Sequence, residues 1–106
     1  MRSGRTKEPV RIGRVVGRVL GDLGLEAAAT AYQVSQHWEA IVGPESARHS
    51  RPVAIRGQLL EAEVDSSVWC QQLQMRREQI LAALRRQLGE ASPTDLRFRV
   101  GYTRSP

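Results

Sequence analysis

Residues Val53 to Trp69 read VAIRGQLLEAEVDSSVW. Val53 and Ile55 alternate with Ala54 and Arg56, and Leu60, Ala62 and Val64 alternate with Glu61 and Glu63. A period of two puts every second side chain on one face of a strand, so both runs read as strands with one buried face. Gly57-Gln58 between them suits a two-residue hairpin turn. Beyond the hairpin, Asp65, Ser66 and Ser67 offer N-caps and the period changes. At about 100° per residue, Trp69, Leu73, Ile80, Leu84 and Leu88 fall on one helical stripe that ends at Gly89. After a loop containing Pro93, Leu96, Phe98, Val100 and Tyr102 alternate with Arg97 and Arg99 in a last strand.

Upstream of the hairpin the period is helical. Pro9 suits the first turn of a helix, since its missing N–H costs nothing there. Ile12, Val16, Val19, Leu20 and Leu23 then recur at helical spacing, with Arg11, Arg14 and Arg18 on a second face. Gly13, Gly17 and Gly21 form a line four residues apart, and each costs about 1 kcal/mol of helix propensity relative to Ala. A tight contact with another backbone would offset that cost. Glu26 to Val42 forms a second helix through Ala31, Val34, Trp38, Ile41 and Val42, stopped by Gly43 and Pro44. The resulting order is α-α-β-β-α-β, an α+β fold with its helices on one face of a three-stranded sheet. A right-handed crossover makes the last strand parallel to the second hairpin strand. The simplest packing inserts it beside the first strand, which gives an antiparallel sheet.

With 106 residues the chain suits one domain, expected over residues 9 to 103, between a basic arm at 1–8 and a tail at 104–106. No apolar run reaches the roughly 20 residues that span a bilayer, and residues 1 to 12 lack the apolar segment of a signal peptide. A cytoplasmic protein without membrane contact is expected. One cysteine, Cys70, and two histidines, His37 and His49, give neither an internal disulfide nor a metal-ligand cluster, so no metal or cofactor is expected. No phosphate-binding glycine loop with Lys and no spaced acid, base and nucleophile set are present, which argues against an enzyme.

The net charge of +5 is uneven. Residues 1–24 carry six Lys/Arg against two Asp/Glu, and residues 75–106 carry seven against three. The stretch 25–74 carries three against six. Two basic ends around an acidic middle point to a polyanionic partner, although an Arg-rich composition alone would also produce them.

Trp38-Glu-Ala-Ile-Val-Gly43, Ala47-Arg-His-Ser-Arg-Pro52, and Gly57 to Val64 running into Asp65-Ser-Ser-Val-Trp69 and Leu73 together resemble the DciA family of bacterial proteins. The resemblance covers about residues 10 to 102. It implies a KH-like fold and a non-enzymatic adaptor that binds the replicative DnaB-type helicase and assists its loading on single-stranded DNA. Many members carry a long basic extension beside the domain, a part that residues 1–8 would have to play in the sequence at hand. Gly21-Asp-Leu-Gly24 has the spacing of a KH phosphate clamp, but Asp22 would repel phosphate, so it reads as a helix connection. Two other functions stay open: a general single-stranded DNA or RNA module without a helicase, and a protein-interaction domain without nucleic acid.

Trp38, Trp69, Leu73 and Phe98 are expected in the core. The candidate nucleic-acid contacts are Arg11, Arg14, Arg18, Arg76, Arg77, Arg85 and Arg86. Arg77 falls near the middle of the apolar stripe, where a guanidinium must snorkel or meet a carboxylate. It is therefore also the candidate partner contact.

Overall fold

The computed structural model describes residues 10–12 and 25–102. At its centre is the hairpin of β2 (Ser50–Arg56) and β3 (Leu59–Val64), antiparallel with Arg56 opposite Leu59 and Ile55 opposite Leu60. Gly57 opens the turn at φ +62°, a conformation that a side chain would strain. The register shifts between Pro52 and Ala54, a bulge at the point where proline has no N–H for the ladder.

Two further strands flank the hairpin. β1 (Val10–Arg11) pairs antiparallel with β2, setting Val10 opposite Ile55 and Arg11 opposite Ala54. β4 (Asp95–Val100) pairs parallel with β3, Leu60 opposite Leu96 and Ala62 opposite Phe98. The sheet order is β1-β2-β3-β4, which corrects two expectations. The last strand does not insert beside β2, because β1 already fills that edge; the crossover returns β4 to the free side of β3. The expected first helix does not include Val10 and Arg11, which form a strand that satisfies backbone groups β2 would otherwise leave open. Ile12, two residues beyond Val10, is buried at the end of this strand. The remainder of the expected first helix, with Arg14, Arg18 and Gly21 to Gly24, lies outside the described residues, as do residues 1–9 and 103–106.

The helices cover one face of the sheet. α1 (Leu25–Gln36) and α2 (Trp38–Val42) divide the expected second helix at His37, and α3 (Pro44–Ala47) follows Gly43, whose φ of +98° ends α2. α4 (Ser67–Met75) begins at Ser66, whose Oγ accepts from Trp69 N at 3.2 Å. α5 (Arg77–Leu88) continues it after a break at Arg76. There the backbone tightens, Arg76 N bonding Leu73 O three residues back, so the expected single helix is two. Leu60, Ala62, Leu96 and Phe98 meet Val34, Trp38, Leu73, Ile80 and Leu84 in one core. Each of the larger side chains contributes about 1.5–3 kcal/mol by leaving water. The α+β class with helices on one sheet face is the one expected, built on a mixed sheet.

Candidate nucleic-acid interface

The same alternation that buries Leu60 and Ala62 turns Glu61 and Glu63 to the other face. Parallel register then sets Arg97 beside Glu61 and Arg99 beside Glu63, while the hairpin sets Arg51 opposite Glu63. Glu63 takes one guanidinium from each side, Arg51 Nη2 and Arg99 Nη2 both at 3.1 Å. Glu61 lies between Arg56 Nη2 and Arg97 Nη1, both at 3.7 Å. The carboxylate side chains are only 8% and 14% exposed, whereas the four arginine side chains are 52% to 61% exposed. Acid thus lies below and base above.

Each carboxylate neutralises one of two arginines, so each trio presents a surplus positive charge. Exposed pairs of this kind add about 0–1 kcal/mol to stability, whereas a buried carboxylate left alone is costly. The arginines therefore offset the burial of Glu61 and Glu63 and keep N–H donors directed outward. Glycine makes room for this packing: a Cβ on Gly101 would fall 2.2 Å from Glu63 Cδ. Arg51 also lies over the Tyr102 ring, 4.1 Å from its centroid, a cation–π contact that limits the guanidinium's rotamers.

The seven candidate contacts divide. Arg76 Nη2 donates to Val42 O at 3.0 Å and Nη1 to Ser46 Oγ at 2.9 Å, so this cation caps the C-terminal end of α2 and ties it to α3. Arg77 Nε donates to Leu96 O at 3.3 Å, while its terminal nitrogens pair with Glu78 and Asp95. The Arg77 hydrogen bond, and after it the Leu96 N–H, hold the Asp95 carboxyl below the ordinary carboxylate range. Arg85 and Arg86 are exposed in the last turn of α5, with no side-chain hydrogen bond or ion pair among the described residues. Arg11 occupies the register row of Ala54, Glu61 and Arg97. Arg14 and Arg18 lie outside the described residues. Of the aromatic and aliphatic candidates, Trp38, Leu73 and Phe98 are buried. Trp69 is half-buried against the core and stacks on His49, the rings 4.6 Å apart and 11° from parallel, while His49 Nδ1 lies 2.9 Å from Asp65 Oδ2.

Arg76→Met keeps the stem and loses the charged hydrogen bonds, so urea unfolding should show a loss of about 1.5–3 kcal/mol. A loss below about 0.5 kcal/mol, within the range of ordinary surface changes, would remove Arg76 from the architecture.

The arginine array of Arg51, Arg56, Arg97 and Arg99 was not among the seven. Its signal was the shared period of Glu61/Glu63 and Arg97/Arg99, which becomes a site only if the two strands are neighbours.

A profile of the family described as "Dna[CI] antecedent, DciA" matches residues 11–98, from β1 into β4. The chain belongs to the DciA family. Membership associates it with DNA replication in general. Relatives of this DciA chain include a UPF0232 protein of Mycolicibacterium paratuberculosis, 29% identical over 92 residues that cover 87% of this chain and 51% of the relative. A UPF0232 protein of Corynebacterium glutamicum is 31% identical over 99 residues, 90% of this chain and 56% of the relative. One from Bifidobacterium longum is 29% identical over 101 residues, 92% and 65% of the two. The chain spans about half the length of the first two relatives. Among the described residues, no helix of this DciA domain is long and apolar enough to cross a membrane. No described group of three His, Cys, Asp or Glu could hold a metal ion.

Proposed function

We propose that this DciA domain is a non-enzymatic adaptor that binds the bacterial DnaB-type replicative helicase in the cytoplasm and assists its placement on single-stranded DNA. The observation that carries the proposal is the family match, which runs through nearly the whole described fold. The arginine array supports the nucleic-acid half. Four outward guanidiniums on one sheet face suit a phosphate backbone, and their planar forks donate two N–H groups at a time. Base stacking has few aromatic side chains to use, so phosphate contacts dominate and binding is weak, sequence-independent and salt-sensitive.

Purified with its cognate helicase, the domain is expected to co-elute in gel filtration at micromolar concentration and to speed loading of that helicase on single-stranded DNA. Neither effect appearing would end the adaptor proposal. The second reading, a single-strand module without a helicase, is favoured by the array itself; binding to an oligonucleotide with no helicase co-elution would select it.

A further inference from the structure

We infer that the outer edge of β4 from Phe98 to Val100, with the groove beside α4, docks an extended acidic and aliphatic segment of a partner protein by strand addition. This inference shares Arg97 and Arg99 with the nucleic-acid face but adds the strand edge and groove, and it does not require the helicase to be the partner.

Backbone directions come first. The Leu96 carbonyl accepts from Arg77 Nε at 3.3 Å and the Phe98 carbonyl from Cys70 Sγ at 3.6 Å, so both face away from β3. Gly101 N, by contrast, donates to Val64 O at 3.0 Å, facing β3. Because hydrogen-bonding direction alternates along a strand, Leu96, Phe98 and Val100 present their N–H and C=O groups to the outer edge. The two ends of that edge differ. At Leu96 it is closed, N–H by Asp95 Oδ1 at 2.9 Å and C=O by Arg77. At Phe98 the carbonyl has only a thiol, a weak donor. Neither the Phe98 N–H nor any Val100 backbone group bonds a described side chain. Open strand edges are ready templates for another chain.

Beside the open half runs a groove of about 470 Å³ between Cys70, Gln74 and Met75 of α4 and Phe98 and Val100 of β4, with Arg97 on its rim. Val68, Met75 and Val100 are 62%, 80% and 53% exposed, three of the four large hydrophobic side chains left exposed among the described residues. Met75 and Val100 line this groove.

This geometry sets the chemistry of the occupant. Side chains of an added strand alternate, so one set enters the apolar groove and the other lies over the outward face beside Arg97 and Arg99. The first set is aliphatic. Arg97 and Arg99 each share a glutamate with another arginine, leaving positive charge for the second set, which is Glu or Asp. A second copy of this chain would bring its own Arg97 and Arg99 to the same edge and repel, so the partner is a different chain.

The test titrates isotopically labelled protein with a capped hexapeptide of alternating Glu and Val, followed by amide chemical shifts. Saturable shifts at millimolar peptide are expected for Phe98 to Gly101 and Cys70 to Met75. The alternating Lys and Val peptide should bind at least about tenfold more weakly. Val100→Pro removes an edge N–H that the free protein does not use, and edge strands tolerate proline; it should abolish the shifts that Val100→Ala retains. Backbone N-methylation of the Glu/Val peptide, which leaves the protein untouched, should do the same. No saturable shift, shifts centred on another surface, equal binding of the Lys peptide, or equal binding of the N-methylated peptide would each overturn the inference. Oligothymidylate shifts at the Phe98 and Val100 amides, with none from the Glu/Val peptide, would also overturn it by assigning the edge to nucleic acid.

Discussion

Trp38→Ala is expected to lower the free energy of unfolding by about 3–5 kcal/mol, the cost of deleting a large aromatic from a core. The indole is buried in the core beside α5 and its Nε1 donates to Ser50 Oγ at 3.1 Å. Ser50 Oγ donates in turn to Ser46 O at 2.7 Å, and Ser46 Oγ accepts from Arg76 Nη1 at 2.9 Å. Truncation therefore opens a cavity and leaves Ser50 without its buried donor. A domain of this size holds about 5–15 kcal/mol in total, so the melting temperature should fall by on the order of 15 °C. Trp38→Phe separates the two contributions. It keeps most of the ring volume and loses the N–H, and should cost about 1–3 kcal/mol. Thermal melts of the two variants check the account. A fall under about 4 °C for Trp38→Ala, less than about 1 kcal/mol, would show that α2 is not anchored by its tryptophan.

The second large effect concerns binding. Arg97→Gln with Arg99→Gln removes one arginine from each trio and leaves Arg56 with Glu61 and Arg51 with Glu63. Neither carboxylate is stranded, so stability should change by no more than about 1 kcal/mol per pair. Affinity for oligothymidylate should fall tenfold or more in moderate salt. Each phosphate contact contributes about 0.7 to the slope of log affinity against log salt for single strands, so losing two should flatten it by about 1.4. Fluorescence anisotropy across a salt series reads both quantities. An unchanged slope would remove the sheet face from the nucleic-acid site and move the search to Arg85 and Arg86, whose paired Gln variants form the natural control.

The same residues show how far sequence reasoning reached and where it stopped. Alternation found β2, β3 and β4, and the glycines at 43, 57 and 89 marked ends that the backbone realises with positive φ. Periodicity places Arg77 near the middle of the apolar stripe and makes Arg76 and Arg77 candidate contacts, because it states on which side of a helix a residue lies, not what stands opposite. Val42 O, Ser46 Oγ, Leu96 O and Asp95 stand there, 18 to 34 residues away along the chain. Trp69 lies half-buried against the core, with a flank set by a residue distant along the chain. His49 reaches it only after the hairpin brings residues 49 and 65 together.

By itself the sequence determined the hairpin, the last strand, the helical stretches from residue 25 onward and the family, because these depend on local period, on capping chemistry and on residues close along the chain. Tertiary structure alone decided which strands are neighbours. With β4 beside β2, Arg97 and Arg99 would lie apart from Glu61 and Glu63, and each carboxylate would keep only its hairpin arginine. With β4 beside β3, the same four residues join Arg51 and Arg56 in a basic array over buried acid. Strand order is a non-local property, set by which edge remains free once β1 has paired with β2, and no periodicity within a strand records it.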